Sequence, residues 1–211
     1  MIAPDNFDVE KVLVQELRKG NQDAVVVIVR KYQNLVKEYV KNILKIYGLH
    51  QQGLENDLAQ ETLIKFYQNV DKIDFSKCND LKPWILKIAM NETRNLLREK
   101  NIKFISLDGI ITDPLEEDKI SKLKDIILSY KPTVNNDVNY QESKVLIRQV
   151  INTLNSPFKE LMTVIVDSDF EITIEELAII FECSDGTIKS RLVRSRNVLK
   201  TILEPLRKWF K

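Results

Sequence analysis

Thr173 to Leu199, TIEELAIIFECSDGTIKSRLVRSRNVL, holds the densest set of residues whose types and spacing suit one chemical task, the binding of an extended anion. Lys189, Arg191, Arg194 and Arg196 supply closely spaced cations. The charge is segregated around them. Asp167 to Asp185 carries seven acids and no Lys or Arg, whereas Lys189 to Lys211 carries eight bases and a single acid, Glu204. A merely solvated surface mixes its signs, so the concentrated positive end favours phosphate over solvent as its counterpart.

Two helices must position these cations. Thr173 can cap a first helix, with Glu175 and Glu176 in its first turn and Leu177, Ala178, Ile180 and Phe181 on its apolar side. Glu182, Cys183 and Ser184 interrupt it. A second helix begins at Asp185, offering Ile188, Leu192 and Leu199 to a core and Lys189, Arg191, Arg194 and Arg196 mostly to its other faces. Helices joined this closely cross steeply, and the second can lie in a DNA major groove with its first side chains at base edges. The plain alternative is an ordinary packing unit with a solvated basic face, against which the charge segregation weighs.

A second constellation lies in the N-terminal half. NDLAQETLIKFYQNVDKID places Ala59, Leu63, Phe66, Tyr67 and Val70 on one helical face, with Asp57, Gln60, Glu61 and apolar Ile64 opposite. Carboxylates beside an apolar anchor can dock a basic protein partner, or can simply solvate the helix. Farther on, LKPWILKIAMNETRNLLREK opens with Pro83 at a first helical position and Trp84 beside it. Ile85, Ala89, Leu96 and Leu97 can face a core, while Lys87, Asn91, Arg94, Asn95 and Arg98 gather on a polar side. Amides and guanidinium groups along one helix face are tools for holding single-stranded nucleic acid; Trp84 fits a core or wedge position better than a stacking platform.

With 211 residues the chain can bury one large core or two small ones. Five glycines and abundant Leu, Ile, Val, Lys and Glu predict an all-α fold, and helical periodicity runs from about Val9 to Lys100 and again from Tyr140 to the end. Between them, Pro114, Pro132, the run Asn135–Asp137 and the acids Glu116, Glu117 and Asp118 mark a linker, with a short helix conceivable over Lys119–Ser129. No run reaches the roughly 18 apolar residues of a membrane span, and with Asp5, Asp8 and Glu10 ahead of any sustained apolar run the N-terminal stretch is not expected to be a signal peptide. Cys78, Cys183 and His50 cannot assemble a four-ligand zinc site alone, so a reduced, cytoplasmic protein without metal or cofactor is expected.

In order and spacing, the segments DLAQETLIKFYQNVDKID, KPWILKIAMNETRNLLREK and TIEELAIIFECSDGTIKSRLVRSRNVL together resemble those of bacterial RNA polymerase sigma factors of the minimal extracytoplasmic-function (ECF) type. The resemblance covers nearly the whole chain outside the linker. It implies two helical domains, sigma region 2 over 1–105 and the sigma region 4 helix-turn-helix over 140–211, joined by a flexible linker over 106–139. The implied function is that of a subunit, not an enzyme, which binds core polymerase, directs it to selected promoters and helps to open them.

Residue by residue, the resemblance implies that Asp57, Gln60, Glu61 and Ile64 meet the clamp helices of the largest polymerase subunit, with the polymerase flap as a further contact. Asn91 matches the asparagine of the minus-ten recognition helix, with Lys87, Arg94, Asn95 and Arg98 on the same polar side. Ser76 to Asp80, including Asn79, corresponds to a loop that captures a flipped base. Thr187, Lys189, Ser190, Arg191 and Arg194 match the helix that enters the minus-thirty-five groove. An anti-sigma factor or another DNA-targeting partner is a further implied class of ligand. Two positions depart from the resembled pattern: Glu182 stands where the family usually has glycine, and Asp185 places an acid at the start of the recognition helix, where it suits the dipole but repels phosphate.

The rivals are a regulator that binds duplex DNA alone and a sigma mimic that sequesters an anti-sigma protein. The acidic face over Asp57–Glu61 argues against the first, and the cations Lys189, Arg191, Arg194 and Arg196 against the second. An enzyme lacks support, because no phosphate loop or metal-ligand cluster is legible.

Overall fold

The structure, a computed structural model, describes residues 6–49, 51–76, 80–100, 147–152, 154, 157–168 and 171–203. All regular elements among them are helical, as composition predicts. The chain divides into two compact units, Met1–Phe104 with Thr173–Asp185, and Ile105–Ile172 with Gly186–Lys211. The 106–139 linker, including the short helix expected inside it, lies outside the described residues.

In the first unit, α1 (Asn6–Arg18) buries Glu10, Val14 and Leu17 on one face. α2 (Gln22–Ile46) is capped by Asn21, whose side chain accepts from the Asp23 N–H at 3.0 Å, and it buries Ala24, Ile28, Tyr32, Val36, Val40 and Ile43 at helical spacing. Gly53, at φ 90, turns the chain into α3 (Leu54–Gln68) with a left-handed backbone that favours glycine. α3 buries Leu58, Ala59, Thr62, Leu63 and Phe66, and a short 3-10 turn, Val70–Lys72, follows. Arg18 ties this turn to α1 by donating to the carbonyls of Val70 and Ile73 at 3.2 and 3.1 Å.

α4 (Lys82–Glu99) begins with Pro83 and packs against both α2 and α3 through Ile85, Leu86, Ala89, Met90 and Leu97. Full burial of Phe66, Ile43, Leu81, Ile85, Met90 and Leu97 makes this three-helix contact the core of the unit. Two sequence expectations need correction here. Tyr67 leaves the shared apolar face of α3 and is 38% exposed, and Leu96 is only half-buried, because the core-facing stripe of α4 runs through Ile85, Ala89, Met90 and Leu97.

Downstream, α5 (Phe158–Asp167) buries Phe158, Leu161, Val164 and Val166 together with Glu160; Arg148 pairs with Asp167 at its end at 2.8 Å. α6 (Ile174–Phe181) and α7 (Asp185–Leu203) occupy the positions the sequence assigns to the two C-terminal helices. Thr173 caps α6 in a reciprocal box: its hydroxyl accepts from the Glu176 N–H at 3.2 Å, and its own N–H donates to the Glu176 carboxylate at 2.8 Å. Within the first unit, α6 packs on α4.

Candidate nucleic-acid interface

The polar face of α3 is presented as its spacing predicts. Asp57, Gln60, Glu61 and Ile64 are all exposed, Ile64 by 52%, and Glu61 pairs with Lys65 one turn on at 3.3 Å. The sequence did not reveal what lies beside this face. Val25, Val29 and Lys37 of α2 meet Ala59, Leu63 and Tyr67 of α3 in a groove of about 780 Å³ that reaches Gln60 and Ile64. The groove is lined by aliphatic side chains, amides such as Gln33, Asn34 and Gln60, and Lys37, while Asp57 and Glu61 stand exposed on the same helix outside its lining; apolar walls with carboxylates nearby suit a helix that carries both basic and apolar groups.

On α4, Lys87 and Asn91 are half-buried, while Asn95 and Arg98 are exposed and bonded to each other, Arg98 donating to the Asn95 amide oxygen at 3.0 Å. Arg94 departs from expectation: it is 7% exposed, because it follows Met90 by one turn and shares the inner side of the helix with Leu97. Lys87 and Asn91 instead border a pocket of about 260 Å³ with Lys65, Asn69, Lys72, Trp84 and Glu92. Trp84 is half-buried, its indole N–H is buried without an acceptor among the described residues, and the Lys87 ammonium lies 5.7 Å from the ring centroid. Tryptophan, three lysines and two amides around a small hollow can stack, donate to and neutralise one unpaired nucleotide.

Lys65 is held between two acids. The hydrogen bond to Glu92 raises its pKa most, desolvation opposes this, and Glu61 adds to the rise, so the ammonium stays charged at the pocket edge. Lys65, Asn69 and Lys72 were missed in the sequence because they precede α4 by a turn and a loop.

The loop before α4 is anchored from α1. Glu10, 1% exposed, accepts from Lys31, from the Tyr32 hydroxyl and from the Leu81 N–H at 2.7 Å. Tyr32 also lies 3.0 Å from Asp80, which accepts from the Lys82 N–H at 2.7 Å. Burial, then Glu10 and Asp80, push the Tyr32 phenol far above its ordinary range. Ser76 is exposed and turned onto Asp74, to which its N–H and hydroxyl donate at 2.8 and 2.7 Å. Asn79 lies outside the described residues.

On α7, Lys189, Ser190, Arg194 and Arg196 are exposed and Thr187 is half-buried. Arg191 is the correction: it is 3% exposed, and the Ser195 hydroxyl donates to its carbonyl at 2.9 Å. Ile188, Arg191, Leu192 and Ser195 form one buried stripe at helical spacing, so position along the helix overrides the residue's charge. At the end of α6, Glu182 takes a left-handed backbone, φ 52 and ψ 43, and its carboxylate lies 2.8 Å from Lys87. That hydrogen bond holds the Glu182 carboxyl below its usual range; burial opposes it, while Asn91 and Arg94 add to the lowering. Among the described residues, no helix is long and apolar enough to cross a membrane.

A sequence profile of the Sigma-70 region 2 family matches residues 28–102, spanning most of α2 through α4. The chain is 28% identical over 201 residues to the ECF RNA polymerase sigma-E factor of Salmonella typhi, covering 93% of this chain and 95% of that protein. It is 25% identical over 198 residues to the protein of the same name from Haemophilus influenzae, covering 93% and 96%. A solved chain described as CnrH in complex with the cytosolic domain of CnrY shares the fold, with a TM-score of 0.55 and 15% identity over 92% of this chain and 96% of that one.

Proposed function

We propose a division of labour for this chain, which is an ECF-type RNA polymerase sigma factor: it binds core polymerase and directs promoter-specific initiation. Residues 1–105 dock on polymerase and capture the opened minus-ten strand, 106–139 link, and 140–211 grip the minus-thirty-five duplex. Asp57, Gln60, Glu61 and Ile64 meet the clamp helices, with the α2–α3 groove taking their apolar side chains. Lys189, Ser190 and Arg194 reach phosphates and base edges, and Thr187 stands at the start of the same helix.

The observation that carries this reading is the pocket at α4. Lys65, Lys72, Lys87, Asn91 and Trp84 converge on a hollow of about 260 Å³. Each stacked base there contributes about 1–3 kcal/mol, whereas opening a duplex costs about 1.4 kcal/mol per step. A few captured bases therefore offset only a few steps, and polymerase supplies the rest. The test is run-off transcription by core polymerase with and without this chain, with the transcript starts sequenced. New starts that share upstream elements support the proposal; starts identical to those of core polymerase alone refute it.

A further inference from the structure

Glu182 is the only non-glycine residue at positive φ among the described residues. Glycine adopts this backbone without a Cβ penalty, so the turn after α6 does not itself call for a glutamate. What glutamate adds is a carboxylate, and that carboxylate sits 2.8 Å from the Lys87 ammonium. The Asn91 side chain and the charge of Arg94, the second cation acting on it, add to the lowering of the Glu182 pKa. α6 packs along α4 in the same unit, so the ion pair comes with a helix–helix contact.

Lys87 and Asn91 are two of the donors that border the α4 pocket. A carboxylate offers them what nucleic acid would offer, an anionic acceptor at hydrogen-bond distance. The two ligands therefore compete for the same donors. We propose that Glu182 is an internal latch: in the free protein it occupies Lys87 and Asn91 and closes the single-strand face of α4, and it must be displaced before a promoter strand can bind there. This rests on the reading of α4 as the single-strand face. Both side chains are partly exposed, Lys87 by 32% and Glu182 by 46%, so the latch is weak enough for a nucleic-acid phosphate or a polymerase-driven rearrangement to release it.

The test uses the free, full-length protein and two variants. Glu182→Gly removes the carboxylate and suits the backbone; Glu182→Gln keeps the side-chain length and removes the charge. Two quantities are measured: the rate at which an amine-reactive reagent labels Lys87, by mass spectrometry, and the affinity for a fluorescent single-stranded oligonucleotide carrying a minus-ten element mapped by the run-off experiment. We expect faster Lys87 labelling in both variants and oligonucleotide affinity raised by about fivefold in Glu182→Gly, with a smaller gain in Glu182→Gln. Unchanged labelling in both variants overturns the latch. Faster labelling with unchanged affinity also overturns it, because the contact would then mask nothing that nucleic acid uses. A separate arm, promoter opening by the Asn91→Ala holoenzyme, distinguishes the cases: a defect there keeps the single-strand reading even when the latch fails, and normal opening removes the reading on which the latch depends.

Discussion

Replacing Glu10 with Ala tests how the loop before α4 is held. The wild-type carboxylate is 1% exposed and accepts from three donors on two segments of chain: Lys31 and the Tyr32 hydroxyl on α2, and the Leu81 N–H before α4. The losses differ. Lys31 is 36% exposed and can turn to water, and Tyr32 keeps Asp80 within 3.0 Å. Leu81 is fully buried, and its N–H loses a charged acceptor at 2.7 Å, which costs about 1–3 kcal/mol. The hole left by the side chain and the weakened Tyr32 contact add about 1 kcal/mol, so a total of about 2–4 kcal/mol is expected. At about 2–4 °C per kcal/mol for a chain of this size, the melting temperature should fall by roughly 5–15 °C. Urea denaturation followed by circular dichroism measures the free energy directly, and Glu10→Gln, which keeps the volume and one acceptor, should recover part of it. A loss below about 0.5 kcal/mol for Glu10→Ala would refute the reasoning, because the Leu81 N–H would then have found an equivalent acceptor at no cost.

Other outcomes follow from the same structure. Asp57→Lys with Glu61→Lys should weaken binding to core polymerase without loss of helicity, since both side chains are exposed; unchanged affinity in a fluorescence titration would remove the docking assignment. Arg194→Ala should flatten the salt dependence of upstream-element binding by about 0.9 in the logarithmic slope and leave stability unchanged, whereas buried Arg191→Ala should lower the melting temperature instead; the two effects reversed would place Arg191 at the groove. The Tyr32 phenol is raised above its ordinary 10.0 by burial first, so the folded state keeps a proton that the unfolded chain releases. Its contribution is fully present below 10.0 and is lost progressively as pH rises above that value, and Tyr32→Phe should remove this component from the alkaline fall in stability.

What was legible in the sequence is what local spacing decides. The cap at Thr173, the start of α4 near Pro83, the outward face of Asp57 to Ile64 and the break at Glu182 all depend on neighbours within a turn or two. Residue type misled where burial follows position: Arg191 and Arg94 read as outward cations, yet each lies on the inner stripe of its helix. The pocket was only half visible, since Asn91 and Lys87 announce themselves on α4 while Lys65 and Lys72 arrive from the preceding segment. Long-range pairings carry no local trace. Glu10 bonds the Leu81 N–H across 71 residues, and the Glu182 departure from glycine could be seen without its contact to Lys87.

The proposed role of α4 is to hold an unpaired promoter strand at Asn91. Permanganate footprinting of promoter opening by core polymerase carrying wild-type or Asn91→Ala protein, on duplex and on pre-melted templates, tests it most directly. Slower opening of the duplex template by the variant, closed-complex binding near wild type, and substantial rescue on the pre-melted template are expected. Opening at the wild-type rate, or a defect confined to closed-duplex binding, would contradict that role.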